Sequence, residues 1–101
     1  MKLLKVAGAS LNQTPLGWDS NKAHIIEAIE TARNSKVSIL CLPELCVSGY
    51  GCEDAFLSSG LHEMALKVIQ EIVPFTKGIA VTIGLPLFYQ GGIFNTVCFI
   101  V

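Results

Sequence analysis

The chain has 101 residues, 51% of them hydrophobic and only 15% charged, with a formal net charge of −1. Soluble domains carry roughly 25% charged residues, so a surface this poor in charge suggests part of a larger folded unit, or a small subunit buried against a partner. The near-neutral balance and the lack of a basic cluster argue against nucleic acid and anionic membrane as partners, and no apolar run approaches the ~18 residues that span a bilayer.

Residues 3–11, "LLKVAGASL", are predicted as the first strand. Ala7-Gly8-Ala9 mimics a signal-peptidase site, but Lys5 breaks the region before it and no apolar segment of ~7 residues precedes it, so export is not expected. "NQTPLGW" reads as a loop, marked by Asn12, Pro15 and Gly17. A helix is predicted from about Ser20 to Asn34, with Asp19 as N-cap and Ile25, Ile29 and Ala32 at helical spacing. Residues 37–43 form the second strand, apolar on both faces, which suits a parallel strand covered on both sides. The loop "SGYG" follows, and "EDAFLSS" opens a short helical turn with Glu53 and Asp54 at its positive end. A second helix covers roughly Leu61 to Val73, with Pro74 near its end. Residues 78–88 form the third strand, "YQGG" turns the chain, and 93–101 return as a fourth, antiparallel strand. The order β-α-β-α-β-β predicts an α/β layered domain with a mixed sheet. Right-handed crossovers that wind the same way put both helices on one face. The apolar stretch "VCFIV" at 97–101 adds to the expectation of an N-terminal portion of a longer protein.

The four cysteines, at 41, 46, 52 and 98, show no C-x-x-C spacing, and His24 and His62 are the only histidines. No metal site is expected from that set. Cys41 and Cys98 sit in strand-like runs and read as inert core thiols. A reducing cytoplasm fits this usage better than a disulfide framework.

The informative stretch is "SILCLPELCVSGYGCEDAF", residues 38–56. An apolar strand meets Pro43 and then the carboxylate of Glu44. In open α/β sheets, sites gather outside the carboxyl ends of strands. Partial burial there would raise the pKa of Glu44, and a carboxylate tuned toward ~6–7 accepts a proton near neutral pH. Tyr50 could point back over the acid, since Gly49 and Gly51 let the loop fold tightly. Two plainer readings stand beside these: Pro-Glu also opens helical turns, with the acid near the dipole, and a lone tyrosine also serves as a packed aromatic. Cys46 and Cys52 lie near Glu44 in sequence, but no Cys–His pairing marks either as a nucleophile.

"LPELCVSGYGCEDAF" resembles the glutamate motif of the nitrilase, or carbon–nitrogen hydrolase, superfamily. "VAGASLNQTPLGWDSNKAHIIEAIETA" is similar to that superfamily's first strand, loop and helix. "VTIGLPLFYQGGIFNTVCFI" is similar to its G-x-P strand and the asparagine-containing strand around Asn95. Residues 10–21 and 49–56 look most like the glutaminase domain of glutamine-dependent NAD synthetases, with one departure at Ser10, where glutamine is usual. The resemblance implies the N-terminal portion of an α-β-β-α sandwich and a Glu–Lys–Cys triad. Of the triad, only Glu44 falls in this chain. None of the four cysteines, and none of Lys2, Lys5, Lys22, Lys36, Lys67 or Lys77, matches the other two motifs. It implies glutamine as substrate: Glu44 takes the thiol proton, the thiolate attacks the side-chain amide, the lysine steadies the oxyanion, and Glu44 then activates the water that cleaves the thioester. Tyr50 would line the substrate pocket. Ammonia would pass to a separate synthetase domain that uses ATP and magnesium to amidate deamido-NAD, in a homo-oligomer. No cofactor is expected in this segment. A stand-alone amidase or carbamoylase, and a catalytically silent assembly module, are the alternatives.

Overall fold

A computed structural model describes residues 3–101. Its strands are β1 (Val6–Gly8), β2 (Ile39–Cys41), β3 (Ala80–Tyr89) and β4 (Gly92–Ile100), and its helices are α1 (Trp18–Asn34) and α2 (Ser59–Ile72). The sheet order is β1-β2-β3-β4. β1, β2 and β3 run parallel, and β4 closes the sheet antiparallel to β3. This is the predicted α/β order with a mixed sheet.

β1 and β2 are shorter than predicted, with three residues each. The chain leaves the ladder gradually at their ends: Ala9 N donates to Cys41 O at 3.0 Å, and Leu42 N to Thr82 O at 3.0 Å. Gly17 rather than Asp19 precedes α1, and Asp19 lies in the first turn without a side-chain cap. An acid there still meets the positive end of the helix dipole. Glu53–Leu57 and Val73–Thr76 are 3-10 turns, the second carrying Pro74.

One face of the sheet holds the core. Ile25, Ile29 and Ala32 of α1 and Ala65, Val68, Ile69 and Ile72 of α2 pack with Leu40, Val81, Ile83 and Leu85. Both helices therefore cover the same face, as expected for right-handed crossovers. Each large aliphatic side chain buried here contributes about 1.5–3 kcal/mol. The ion pair of Lys22 Nζ with Glu71 Oε2, at 2.7 Å, joins the two helices at the surface, where such pairs add little.

Among the described residues, the other face carries no helix. Register places Val6, Ile39 and Ala80 in one row and Gly8, Cys41 and Thr82 in the next. Beyond them Thr82 lies opposite Phe99, Gly84 opposite Val97 and Pro86 opposite Asn95. Val6 is 65% exposed, Val97 64% and Phe99 56%. The expectation that β2 is covered on both sides is corrected: among the described residues only the helix side is covered. Cys41, read as a core thiol, is exposed, and Cys98 is half-buried against the core. The reason is strand alternation, which turns Cys41 to the open face while Leu40 enters the core. An apolar face of this extent behaves as an association surface. Expressed alone, residues 1–101 should bind a hydrophobic dye and self-associate; a dye-silent, cooperatively melting monomer would contradict this.

Candidate functional site

The chain leaves β2 and crosses directly over β3. A Cβ on Gly84 would lie 2.5 Å from both Leu45 N and Pro43 O, and 2.9 Å from Glu44 Cα. Only a residue without a side chain allows that approach. Val47 N donates to Gly84 O at 3.2 Å, and the Cys46 thiol points to the same carbonyl at 3.7 Å. Leu45 takes φ +50°, a left-handed conformation that leucine seldom adopts. Such strain costs of order 1–3 kcal/mol and persists only where the surroundings fix it.

The surroundings are the stretch read as plain loop. Gln13 Nε2 donates to Cys46 O at 2.8 Å and to Asn21 O at 3.0 Å. Asn21 is fully buried. Its Nδ2 donates to Thr14 O at 2.8 Å and Val47 O at 3.2 Å, and its Oδ1 accepts from Thr14 N at 2.9 Å. His24 Nδ1 lies 2.7 Å from Gln13 Oε1; the amide oxygen only accepts, so Nδ1 carries the hydrogen. Leu16 N donates to Ser48 O at 2.8 Å. Gly49, at φ +88°, presses against Pro15, whose Cα would lie 2.7 Å from a Cβ there. Residues 13–16 and Asn21 thus clamp the Glu44 turn from one side while β3 supports it from the other.

Glu44 projects from this clamp, and its Oε1 accepts a hydrogen bond from Asn95 Nδ2 on β4. Asn95 stands opposite Pro86, so the carboxylate lies toward the helix-free face. Two expectations meet the structure here. The helical-turn reading is met as far as it went: residues 44–48 make a single turn, with Gly49 N donating to Leu45 O at 2.9 Å, that does not continue into a helix, and the carboxylate turns to Asn95. The expected partial burial is corrected: Glu44 is exposed, because nothing among the described residues covers that face. Tyr50, 70% exposed, follows Gly49 on the same loop and makes no side-chain hydrogen bond among the described residues. Asn95, Gly84, Gln13 and Asn21 escaped assignment by residue chemistry. The available signal for Gly84 was a glycine inside a strand pattern, which marks close backbone approach.

The cysteines near Glu44 are poor nucleophiles. Cys46 is 1% exposed, and burial pushes its thiol up to about 11 from the usual 9.0. Cys52, also buried, points its thiol at Ser48 O at 3.3 Å and Gly49 O at 3.4 Å. A thiol-directed reagent at pH 8 should label exposed Cys41 and spare Cys46 in the folded protein. Because the folded pKa of Cys46 is raised, its contribution to stability is complete below about 9 and is lost as pH rises toward about 11. Cys46→Ala should flatten that alkaline loss, which denaturant titration at several pH values measures.

A hollow of about 560 Å³ between β1 and α1 is lined by Ala7, Leu11, His24, Ala28 and Leu40, among others, and does not include Glu44. Among the described residues, no three His, Cys, Asp or Glu side chains cluster to hold a metal ion, and no helix is long and apolar enough to cross a membrane. Lys2 lies outside the described residues.

The arrangement is a carboxylate on a clamped turn at the carboxyl end of a parallel strand. The carbon-nitrogen hydrolase family model matches residues 5–101, and the chain belongs to that family. Among its relatives is a glutamine-dependent NAD(+) synthetase of Oryza sativa subsp. indica, 34% identical over 97 residues, covering 94% of this chain and 13% of the relative. The crystal structure of a glutamine-dependent NAD(+) synthetase from Cytophaga hutchinsonii superposes with TM-score 0.94 at 45% identity, over 96% of this chain and 17% of that one. A glutamine-dependent NAD+ synthetase from Acinetobacter baumannii, in complex with ADP, gives TM-score 0.88 at 26% identity, over 96% of this chain and 18% of that one. The chain therefore spans less than a fifth of the length of each of these proteins.

Proposed function

We propose that residues 1–101 are the N-terminal part of a glutaminase domain. That domain would supply ammonia for the ATP-dependent amidation of deamido-NAD. The observation that carries the proposal is the Glu44 carboxylate, held by the Gly84 crossing and the Gln13–Asn21 clamp with Asn95 as its one side-chain partner among the described residues. A base so placed can take a proton from a nucleophile brought against the helix-free face and return one to the leaving amine. Family membership and the names of the relatives point to glutamine as the amide. On this reading Glu44 is the general base, and Tyr50, exposed on the adjoining loop, lines the substrate pocket. The nucleophilic cysteine and the lysine belong to segments other than this one.

ATP and magnesium are what the synthetase reading adds to glutamine. These are assigned to the synthetase portion, and no step of the reaction at Glu44 runs through them. The four free cysteines support a reducing cytoplasmic setting.

The full-length protein tests this reading. With ATP and deamido-NAD it should form NAD from glutamine, releasing glutamate in step, and should accept ammonia instead. NAD formation from ammonia alone would overturn the glutaminase assignment. Amide hydrolysis without any ATP-dependent reaction would select the stand-alone amidase.

A further inference from the structure

The Asn95–Glu44 contact carries an inference beyond the general base itself, and it rests on the reading of Glu44 as that base. Asn95 lies on β4, the antiparallel strand, while Glu44 follows β2; the two are 51 residues apart in sequence and are separated in the sheet by β3. Asn95 Nδ2 donates to Oε1 of Glu44. Oε2 receives no hydrogen bond from any described residue. A carboxylate has two oxygens that are equivalent until something distinguishes them, and rotation about its last bond is broad and roughly two-fold. An amide donor fixed on a strand removes that freedom. The strand is itself in register, with Asn95 opposite Pro86, two residues from the Gly84 at which the Glu44 turn crosses. One segment of β3 therefore sets the height of both the acid and its donor.

We propose that Asn95 is a positioning residue that occupies Oε1 of Glu44, fixes the plane of the carboxylate and leaves Oε2 as the oxygen that exchanges protons with the nucleophile and water. It touches neither by itself; it acts through Glu44.

The test uses the full-length protein with Asn95→Leu, which keeps the branching at Cγ and removes the donor, and Asn95→Asp, which keeps the shape and replaces the donor with an acceptor. A hydrogen bond to a charged group is typically worth enough to change a rate about 10- to 100-fold. Glutamine-driven kcat should fall by about that factor in Asn95→Leu, with the Michaelis constant for glutamine little changed. The loss should be deeper in Asn95→Asp, because a carboxylate accepts where the amide donated and two carboxylates then face each other. Ammonia-driven synthesis should be unaffected, which shows that the variants fold. An unchanged kcat, a loss confined to the Michaelis constant, or equal loss of both activities, would overturn the positioning role. Glu44→Gln, run in parallel, separates the two levels. If it abolishes glutamine use while Asn95→Leu is silent, only the role of Asn95 fails. If Glu44→Gln is itself silent, the underlying reading fails.

Discussion

Glu44→Gln in the full-length protein should lower glutamine-driven NAD formation by at least about 10²-fold while leaving ammonia-driven formation near its original rate. The substitution preserves size and shape and removes the base. General-base catalysis is typically worth 10²–10⁴-fold, and here one carboxylate would serve both halves of the reaction, thioester formation and its hydrolysis. The fold has little reason to object. Glu44 is exposed, and its single side-chain partner among the described residues is the Asn95 amide, which meets a glutamine amide oxygen as readily as a carboxylate. Ammonia bypasses the amide-cleaving step, so it reports on folding and on the synthetase separately. Parallel loss of both activities would mean that Glu44 is a structural acid.

Gly84→Ala should be nearly as damaging to glutamine use, by a different physical route. The new Cβ would meet Leu45 N and Pro43 O at 2.5 Å, and both are backbone atoms that cannot swing aside. The turn must lift from β3 or the strand must bend away. Either movement breaks the bond from Val47 N to Gly84 O, 3.2 Å long, and carries Glu44 with it. Overpacking of this kind costs typically 1–3 kcal/mol, and a misplacement of about 1 Å at a reacting group can cost about 10²-fold in rate. The matched control is Gly8→Ala on β1. A Cβ there meets only Cys41 O, at an ordinary 3.9 Å, so that change should stay within about 0.5 kcal/mol. Thermal melts and glutamine-driven rates of the two variants check the contrast; equal behaviour would show that the Gly84 crossing does not hold the site.

How much of this was legible beforehand differs by residue. The layered α/β order followed from periodicity, and Glu44 stood out because an apolar strand ending on Pro-Glu is an unusual way to finish a buried element. Asn21 was not legible. On a helix it resembles a surface residue, and its burial makes sense only once Thr14 and Val47, far apart in sequence, are brought together. Gln13 was hidden in the same way, since its partners Cys46 O and Asn21 O are backbone atoms with no sequence signature. Cys41 was misread because a strand apolar on both faces was taken as covered on both, whereas in this chain its second face is open. Asn95 was noticed only as part of a family-like strand. Its pairing with Glu44 depends on the register of β4 against β3, which local pattern does not encode.

The central claim is that Glu44 deprotonates a cysteine that is not among the four in this segment. Alkylation of the full-length protein by an electrophilic glutamine analogue tests it most directly, with glutamine protection and mapping of the modified residue. The protected adduct should fall on a cysteine beyond residue 101, and should form at least about 10²-fold more slowly in Glu44→Gln. A protected adduct on Cys41, Cys46, Cys52 or Cys98, or equal rates with and without the Glu44 carboxylate, would contradict it.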